Sequence, residues 1–460
     1  MSAGFLLVTI GHTVTLPVPF IPSVALFAAI GALSSALAHR GVSVFHDGLR
    51  PVMGSFRKGE LPRKEVSKTS FNLAWGFFWA FGIPFSIGYV VPLVYMIFMA
   101  TDWIGVTVPG DQSSPWHRTA RARRGVALAL LAGGLWGAGM AVLLRLITEA
   151  MHRLPIEMAG PVHLFSEPAA GAYFLFAVLT IAYHYGYRRA FVALVACSVA
   201  WFGAQTAGLP YPAVWSFTVG VVFLLAFLIL EARRGKAAQE PTVAWAIEDD
   251  DDEEEDVFDE NARRIRRALL PIVALAALMG AAYNWGLMTK DPISGLLYAQ
   301  GLAIPAALIM LAWAFAFIPM KFTTAAVTGC MATGTFLDQG ISMLMPNPWA
   351  AAAACAALRA VEVLALVAVV RGIERLPSIR EVADVMRTAI FHVMEIGFLI
   401  GGALAASAFA GQWGFAIVVA AWFLNSRKNF PVMPMSVGAY AALAVGVFAN
   451  ILALLGFQVT

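Results

Sequence analysis

Several polar side chains stand in stretches otherwise apolar enough to sit in lipid. Their types and spacing suit the handling of ions or solutes. Arg359 and Glu362, in AALRAVEVLAL, are three apart on one helical face. There they could neutralise each other as a structural pair, or leave Glu362 to take up a proton. His392 and Glu395, in IFHVMEIGFL, share that spacing. An imidazole beside a carboxylate suits a proton relay, with Glu395 the deeper group and His392 equally readable as interfacial. Asp102 in TDWIG and Asp338 in FLDQG lie beside helix breaks. A carboxylate and freed carbonyls there could hold Na⁺ or a proton, and a plain helix cap is the competing reading. Asn425 ends AWFLNSRKNFP, as a solute ligand or as a C-cap.

Glu149, His152, Glu157, His163 and Glu167 cluster in a connection broken by Pro155, Pro161 and Pro168. It reads as an external loop ahead of a re-entrant gate or a metal site, because no recognised ligand spacing is present. Cys197, Cys330 and Cys355 are isolated in apolar stretches and read as buried thiols. No metal site, catalytic residue or cofactor is expected beyond a coupling H⁺ or Na⁺. The signatures GxSxG, HExxH and the P-loop are missing, so the reading is not an enzyme, and an intramembrane enzyme ranks last.

The elements that position these groups must be membrane spans. Of 460 residues, 60% are hydrophobic and 13% charged, with mean hydropathy +0.75. Soluble domains carry about 25% charged residues. Stretches long enough to cross lipid lie near 4–20, 23–39, 125–146, 171–187, 190–207, 213–231, 268–288, 297–318, 322–345, 349–371, 389–410 and 435–457. A short one follows at 412–425. The stretch 71–108 is broken by Gly82, Pro84, Gly88 and Pro92 and reads as a hairpin of two short helices. The expectation is an all-α polytopic transmembrane helix bundle of about 13–15 hydrophobic segments, in two halves, with broken or re-entrant helices. The N-terminus has no basic leader and is expected to be retained.

Charge sets the orientation. The loops 40–68 and 111–124 are basic and are expected in the cytoplasm, with Arg188/Arg189, Lys321, the Arg371–Arg387 loop and Arg427/Lys428. The segments around Pro210, Pro292 and Pro346–Pro348 then fall outside. Residues 1–231 form an N-terminal half and 268–460 a C-terminal half. Between them, 232–267 is an acidic cytoplasmic linker with eleven Asp/Glu in 248–260, expected to be solvated and disordered.

Leu37-Ala38-His39-Arg40 followed by Val44-Phe45-His46-Asp47-Gly48-Leu49-Arg50-Pro51 resembles the YhfT family of bacterial inner-membrane proteins. Thr101-Asp102 with Gly105, Leu154-Pro155 with Glu157 and Gly160, Tyr183–Arg188, Pro346-Asn347-Pro348, Val361-Glu362-Val363, Pro377–Arg380, Met394-Glu395 and Trp422–Asn425 are similar in order. The match spans about 24–457, and Asp338 has no counterpart in it. The resemblance implies a multi-pass transporter of unknown substrate in the bacterial inner membrane.

It favours Glu362, Glu395, Asp102 and Asn425 as solute or ion ligands, with Asp338, Arg359 and His392 resting on placement alone. His39, Arg40, His46, Asp47 and Arg50 could line a cytoplasmic vestibule for an anion, or only fix topology through an Asx turn. The expected function is secondary transport of a small polar solute, an anion in one reading, by alternating access. The rivals are a translocator subunit resembling phosphotransferase systems, with a soluble cytoplasmic partner, and the enzyme above. The other partners expected are the bilayer and, in an open alternative, further copies of the chain. Nucleic acid is not among them.

Overall fold

The computed structural model describes residues 20–83, 86, 92–110, 118–165, 168, 171–172, 174–209, 212–233, 251–374, 377–427 and 434–458. The span expected at 4–20, the loop tip at Pro210, residues 248–250 of the acidic run with the side chains of 251–256, Lys428, Glu167 and the side chain of His163 lie outside the described residues.

The N-terminal elements are α1 (Phe20–His39), β1 (Ser43–Val44), α2 (Met53–Lys58), α3 (Arg63–Phe77), α4 (Tyr95–Thr107), α5 (Ala120–His152), α6 (Ala159–His163), α7 (Phe174–Tyr185), α8 (Tyr187–Thr206) and α9 (Pro212–Arg233). After the linker come α10 (Asp251–Arg267), α11 (Leu269–Asn284), α12 (Pro292–Ala299), α13 (Ala303–Thr328), β2 (Met331–Ala332), α14 (Phe336–Leu344), α15 (Pro348–Leu364), α16 (Leu366–Glu374), α17 (Pro377–Asn425) and α18 (Pro434–Leu454).

Among the described residues, seven helices are long and apolar enough to cross a bilayer. The bent pairs α10–α11 (64°) and α15–α16 (69°) would bring the number to nine. Leu128, Leu131 and Leu135 leave an apolar stripe of α5 exposed, a surface suited to lipid. The chain is an all-α, multi-pass membrane protein.

Small residues set the closest approaches. α5 presents Gly133 and Gly137, four apart, to α1. A Cβ at Gly133 would lie 2.4 Å from the Gly31 carbonyl oxygen, and one at Gly137 would lie 2.0 Å from that of Phe27. This small-xxx-small contact is how helices pack where lipid removes the hydrophobic drive between them.

The stretch 71–108 folds back as expected. Ser67 near the start of α3 meets Thr107 at the end of α4, Oγ to Oγ1 at 2.6 Å. Arg63 closes the hairpin by donating to the carbonyls of Val106, Val108 and Gly110.

The C-terminal half departs from the expected spans. Segments 297–318 and 322–345 do not meet in a loop at Lys321. Instead α13 runs unbroken from Ala303 to Thr328, with Pro319 inside it and Lys321 buried. Lys321 is therefore not a cytoplasmic loop charge. A proline and a lysine together resemble a span boundary, but a proline is tolerated within a packed membrane helix. Residues 331–344 then turn inward as β2 and α14. α17 breaks at Ala410 and Gly411 (φ 55°, ψ −143°), so that the segment expected at 412–425 is its second arm.

α1 and α13 each lead to a left-handed glycine, Gly41 (φ 60°) and Gly329 (φ 66°), and then to a two-residue strand. β1 and β2 pair in parallel, Ser43 with Met331 and Val44 with Ala332. A second parallel bridge joins Leu93 to Thr289. Extended backbone is viable in a membrane protein when it is buried and paired like this.

The linker is helical from Asp251, and its C-terminal turns dock although its composition suggested disorder. Asn261, Ala262 and Ile265 are buried. Asn261 Nδ2 donates to the carbonyls of Ala326 and Val327 at the end of α13. Arg264 donates to Arg40 O after α1, and Arg266 to Leu364 O at the end of α15. The linker helix thus supplies the donors that three helix C-termini need.

Among the described residues two large apolar cores result, with a smaller cluster of Ala38, Val44, Leu49, Met53, Phe56, Val66, Val106 and Cys330 beside them, each drawing on both sides of the linker. The first gathers α1, α4, α5, α6, α11, α15, α16 and α18 with the distal part of α17. The second gathers α7, α8, α9, α12, α14, most of α13 and the proximal part of α17.

Candidate functional site

A cavity of about 580 Å³ lies where the two cores meet, with Phe45 of the first and Phe81, Trp313, Phe336 and Phe398 of the second on its wall. One end is built by extended backbone. Asp102, buried in α4, accepts the Phe45 N–H at 2.8 Å and the His46 N–H at 2.8 Å, fixing the loop after β1. Gln339 of α14 accepts the Lys290 N–H at 2.6 Å and donates to Thr289 Oγ1 at 2.6 Å, fixing the loop before α12. These two acceptors place His46, Asp47, Arg50 and Lys290 around one space.

The polar atoms there are mostly donors. His46 Nδ1 accepts from the Gly48 N–H at 2.9 Å, so the neutral ring carries its proton on Nε2. Among the described residues that buried Nε2 has no partner. Arg50, 1% exposed, pairs through Nη2 with Asp47, while its Nε and Nη1 have no partner among the described residues. Lys290 Nζ donates to Gly334 O at 3.0 Å and lies 4.8 Å and 4.3 Å from the ring centres of Phe45 and Phe336. Among the described residues no carboxylate stands within ion-pair distance of it.

Behind the wall runs a buried row of charge. Lys321 of α13, which itself lines the cavity, pairs with Glu362. Glu362 Oε2 lies 3.0 Å from Arg359 Nη1, and Arg359 Nη2 pairs with Asp338. Asp338 also closes a capping box with Thr335 at the start of α14, so it serves as both cap and ion-pair partner.

Of the residues singled out from sequence, His46, Asp47, Arg50 and Glu395 line the cavity. Glu395 Oε1 accepts from the Trp422 indole N–H at 3.2 Å, and no cation stands within ion-pair distance among the described residues. Arg359, Glu362 and Asp338 form the row behind the wall, and Asp102 holds the loop in front of it.

The others lie elsewhere. His39 is buried, donates from Nδ1 to Gly105 O at 3.1 Å, and packs against Gly110 and Gly125. Arg40 precedes β1 and presents its carbonyl to Arg264. His392 is exposed on α17, 3.1 Å from Tyr183 Oη. Asn425 is buried at the end of α17, its Oδ1 without a partner among the described residues. In the outer cluster, His152 meets Glu157 at 3.0 Å and Arg153 meets Glu149 at 2.6 Å.

Lys290, Lys321 and Gln339 were missed. Lys321 stands singly in an apolar run, the signal that marks Glu395, but the orientation rule assigns it to a loop. Lys290 beside Asp291 and Pro292 reads as part of a connection, and Gln339 is overshadowed by Asp338 before it.

The YhfT family model, described as a protein of unknown function, matches residues 23–458. The chain is 28% identical over 450 residues to the uncharacterized protein YhfT of Escherichia coli strain K12, covering 94% of this chain and 97% of that one. No solved structure matches it. With a match running from α1 to the C-terminal end of α18, through every segment that builds the cavity, the chain belongs to the YhfT family.

Proposed function

We propose that this protein is a secondary carrier that moves a small anionic solute across the bacterial inner membrane, coupled to H⁺ or Na⁺. The observation that carries the reading is the basic end of the cavity. His46, Arg50 and Lys290 all line it; among the described residues the buried His46 Nε2 and Arg50 Nε and Nη1 have no acceptor, and the Lys290 ammonium has the one carbonyl of Gly334. Buried donors without acceptors are strongly unfavourable, and an anion would satisfy them together.

Three further features agree with a carrier. The site is assembled from broken segments, as in transporters whose solute sites use interrupted helices. It lies where two packed bodies meet, so that relative movement could expose it to either side. Glu395 lines the same cavity with no cation in ion-pair distance among the described residues, and is the group on which a coupling proton would ride.

The test is uptake by protein reconstituted in liposomes, with a panel of labelled organic and inorganic anions and an imposed pH or Na⁺ gradient. Gradient-dependent uptake of an anion by the native protein, lost in Lys290→Met, is the expected result. In Glu395→Gln, exchange should persist while gradient-driven accumulation stops. An absence of anion uptake under every gradient would refute the proposal.

A further inference from the structure

Resting on the anion-carrier reading, we propose that the cavity takes an organic monoanion with an aromatic body, its carboxylate on Lys290, Arg50 and His46 and its ring among Phe77, Phe81 and Tyr95. Charge sets the first half of this. Among the described residues, the cations on the wall are Arg50, matched by Asp47, Lys321, matched by Glu362, Arg387, matched by Asp384, and Lys290, which has no carboxylate within ion-pair distance. One spare cation at the basic end suits one negative charge. A second would be buried beside the Asp47 carboxylate, where like charges oppose each other strongly.

The walls set the second half. From the basic end the lining continues as rings in contact. His46 meets Phe77 edge-on at 5.2 Å, and Phe45 meets Tyr95 at 5.2 Å. Tyr95 in turn meets Phe77 at 6.1 Å and Phe81 at 4.7 Å, and Phe81 meets Phe398 at 5.7 Å. A sugar or a hydroxylated acid would lose its hydration there without enough polar partners in return. An aromatic body gains burial and ring-edge contacts on every side. The cavity volume of about 580 Å³ is in the range of small-molecule sites.

The experiment is titration calorimetry of the purified protein in detergent with six probes: phenylacetate, 2-phenylethanol, acetate, octanoate, succinate and inorganic phosphate. Phenylacetate should bind tightest. 2-Phenylethanol has the body without the charge and acetate the charge without the body, so both should bind at least tenfold more weakly. Lys290→Met should weaken phenylacetate by about tenfold to a hundredfold, the worth of a charge-assisted hydrogen bond. Lys290→Arg should recover most of that.

The ranking of probes on the native protein stands even if Lys290→Met does not fold. Tighter binding of succinate or phosphate would overturn the monoanion with its aromatic body and leave the anion carrier standing. Tighter binding of octanoate would overturn the aromatic body in favour of an acyl chain, as a lipid-derived ligand would require. Phenylacetate bound with undiminished affinity by a folded Lys290→Met would overturn the site. Binding of none of the five anions would sink both this proposal and the anion reading beneath it.

Discussion

Lys321, Glu362, Arg359 and Asp338 form a row of alternating sign in which each carboxylate touches a cation, all within the helical interior. Such a row is weak evidence for stability, because desolvation offsets much of the attraction, but it makes single losses severe. Glu362→Leu strands Lys321 and should lower unfolding stability in detergent by about 3–5 kcal/mol. Lys321→Met with Glu362→Leu removes both charges and leaves Arg359 on Asp338, so most of that loss should return. A double variant as unstable as the single one would show that the ion pair is not the cause. Asp102 poses a different case, since its carboxylate meets amides rather than a cation. Asp102→Ala leaves the Phe45 and His46 N–H groups buried without acceptors, at about 1–3 kcal/mol each. Phenylacetate binding should fall with it, because that loop carries His46 and Arg50. The Arg359–Glu362 contact was legible from spacing along one helix. The Lys321–Glu362 and Arg359–Asp338 contacts were not, because their partners come from different elements and no local pattern encodes which helix faces which.

Helices were the most legible level, since a span needs about 20 apolar residues and leaves a plain mark in composition. What hid was everything shorter. β1 and β2 are two residues each and have no periodicity to read, and α14 looked like the end of a long span. The docking of α10 was concealed by its acidic first turns, which suggested solvent for the whole linker. Helix contacts can be tested with two glycines on α5. At Gly133 a Cβ would meet the Gly31 oxygen at 2.4 Å and Ser35 Cβ at 2.4 Å, whereas at Gly139 it would meet nothing within 4 Å. Gly133→Ala should destabilise by about 1–3 kcal/mol, the usual penalty of overpacking. Gly139→Ala should stay within about 0.5 kcal/mol of the native protein. Thermal melts of the two variants in one detergent make the comparison, and equal losses would mean that α1 and α5 do not pack through Gly133.

At the scale of the whole molecule, carrier activity requires two bodies that move and a junction that does not. The two apolar cores supply candidates for the bodies. The β1–β2 pair is the candidate for the junction, because Val42, Phe45 and Met331 around it belong to the first core, Val44 and Cys330 to the small cluster beside it, and none of them to the second core. Motion between the cores would then leave the pair intact, and the cavity would open along its aromatic wall, where the two cores meet. A crosslink can distinguish this from a mechanism in which the strands themselves separate. Ser43 Oγ and Thr333 Oγ1 are 2.6 Å apart, so sulfurs in their place could bond at about 2.05 Å after a small adjustment. Ser43→Cys with Thr333→Cys should form a disulfide under mild oxidant. The oxidised protein should bind phenylacetate as the reduced one does and exchange anions across liposomes at a similar rate. If oxidation leaves binding intact but stops exchange, the strands must part during transport. The fixed junction would then lie elsewhere, with the second parallel contact at Leu93 and Thr289 the next to be locked.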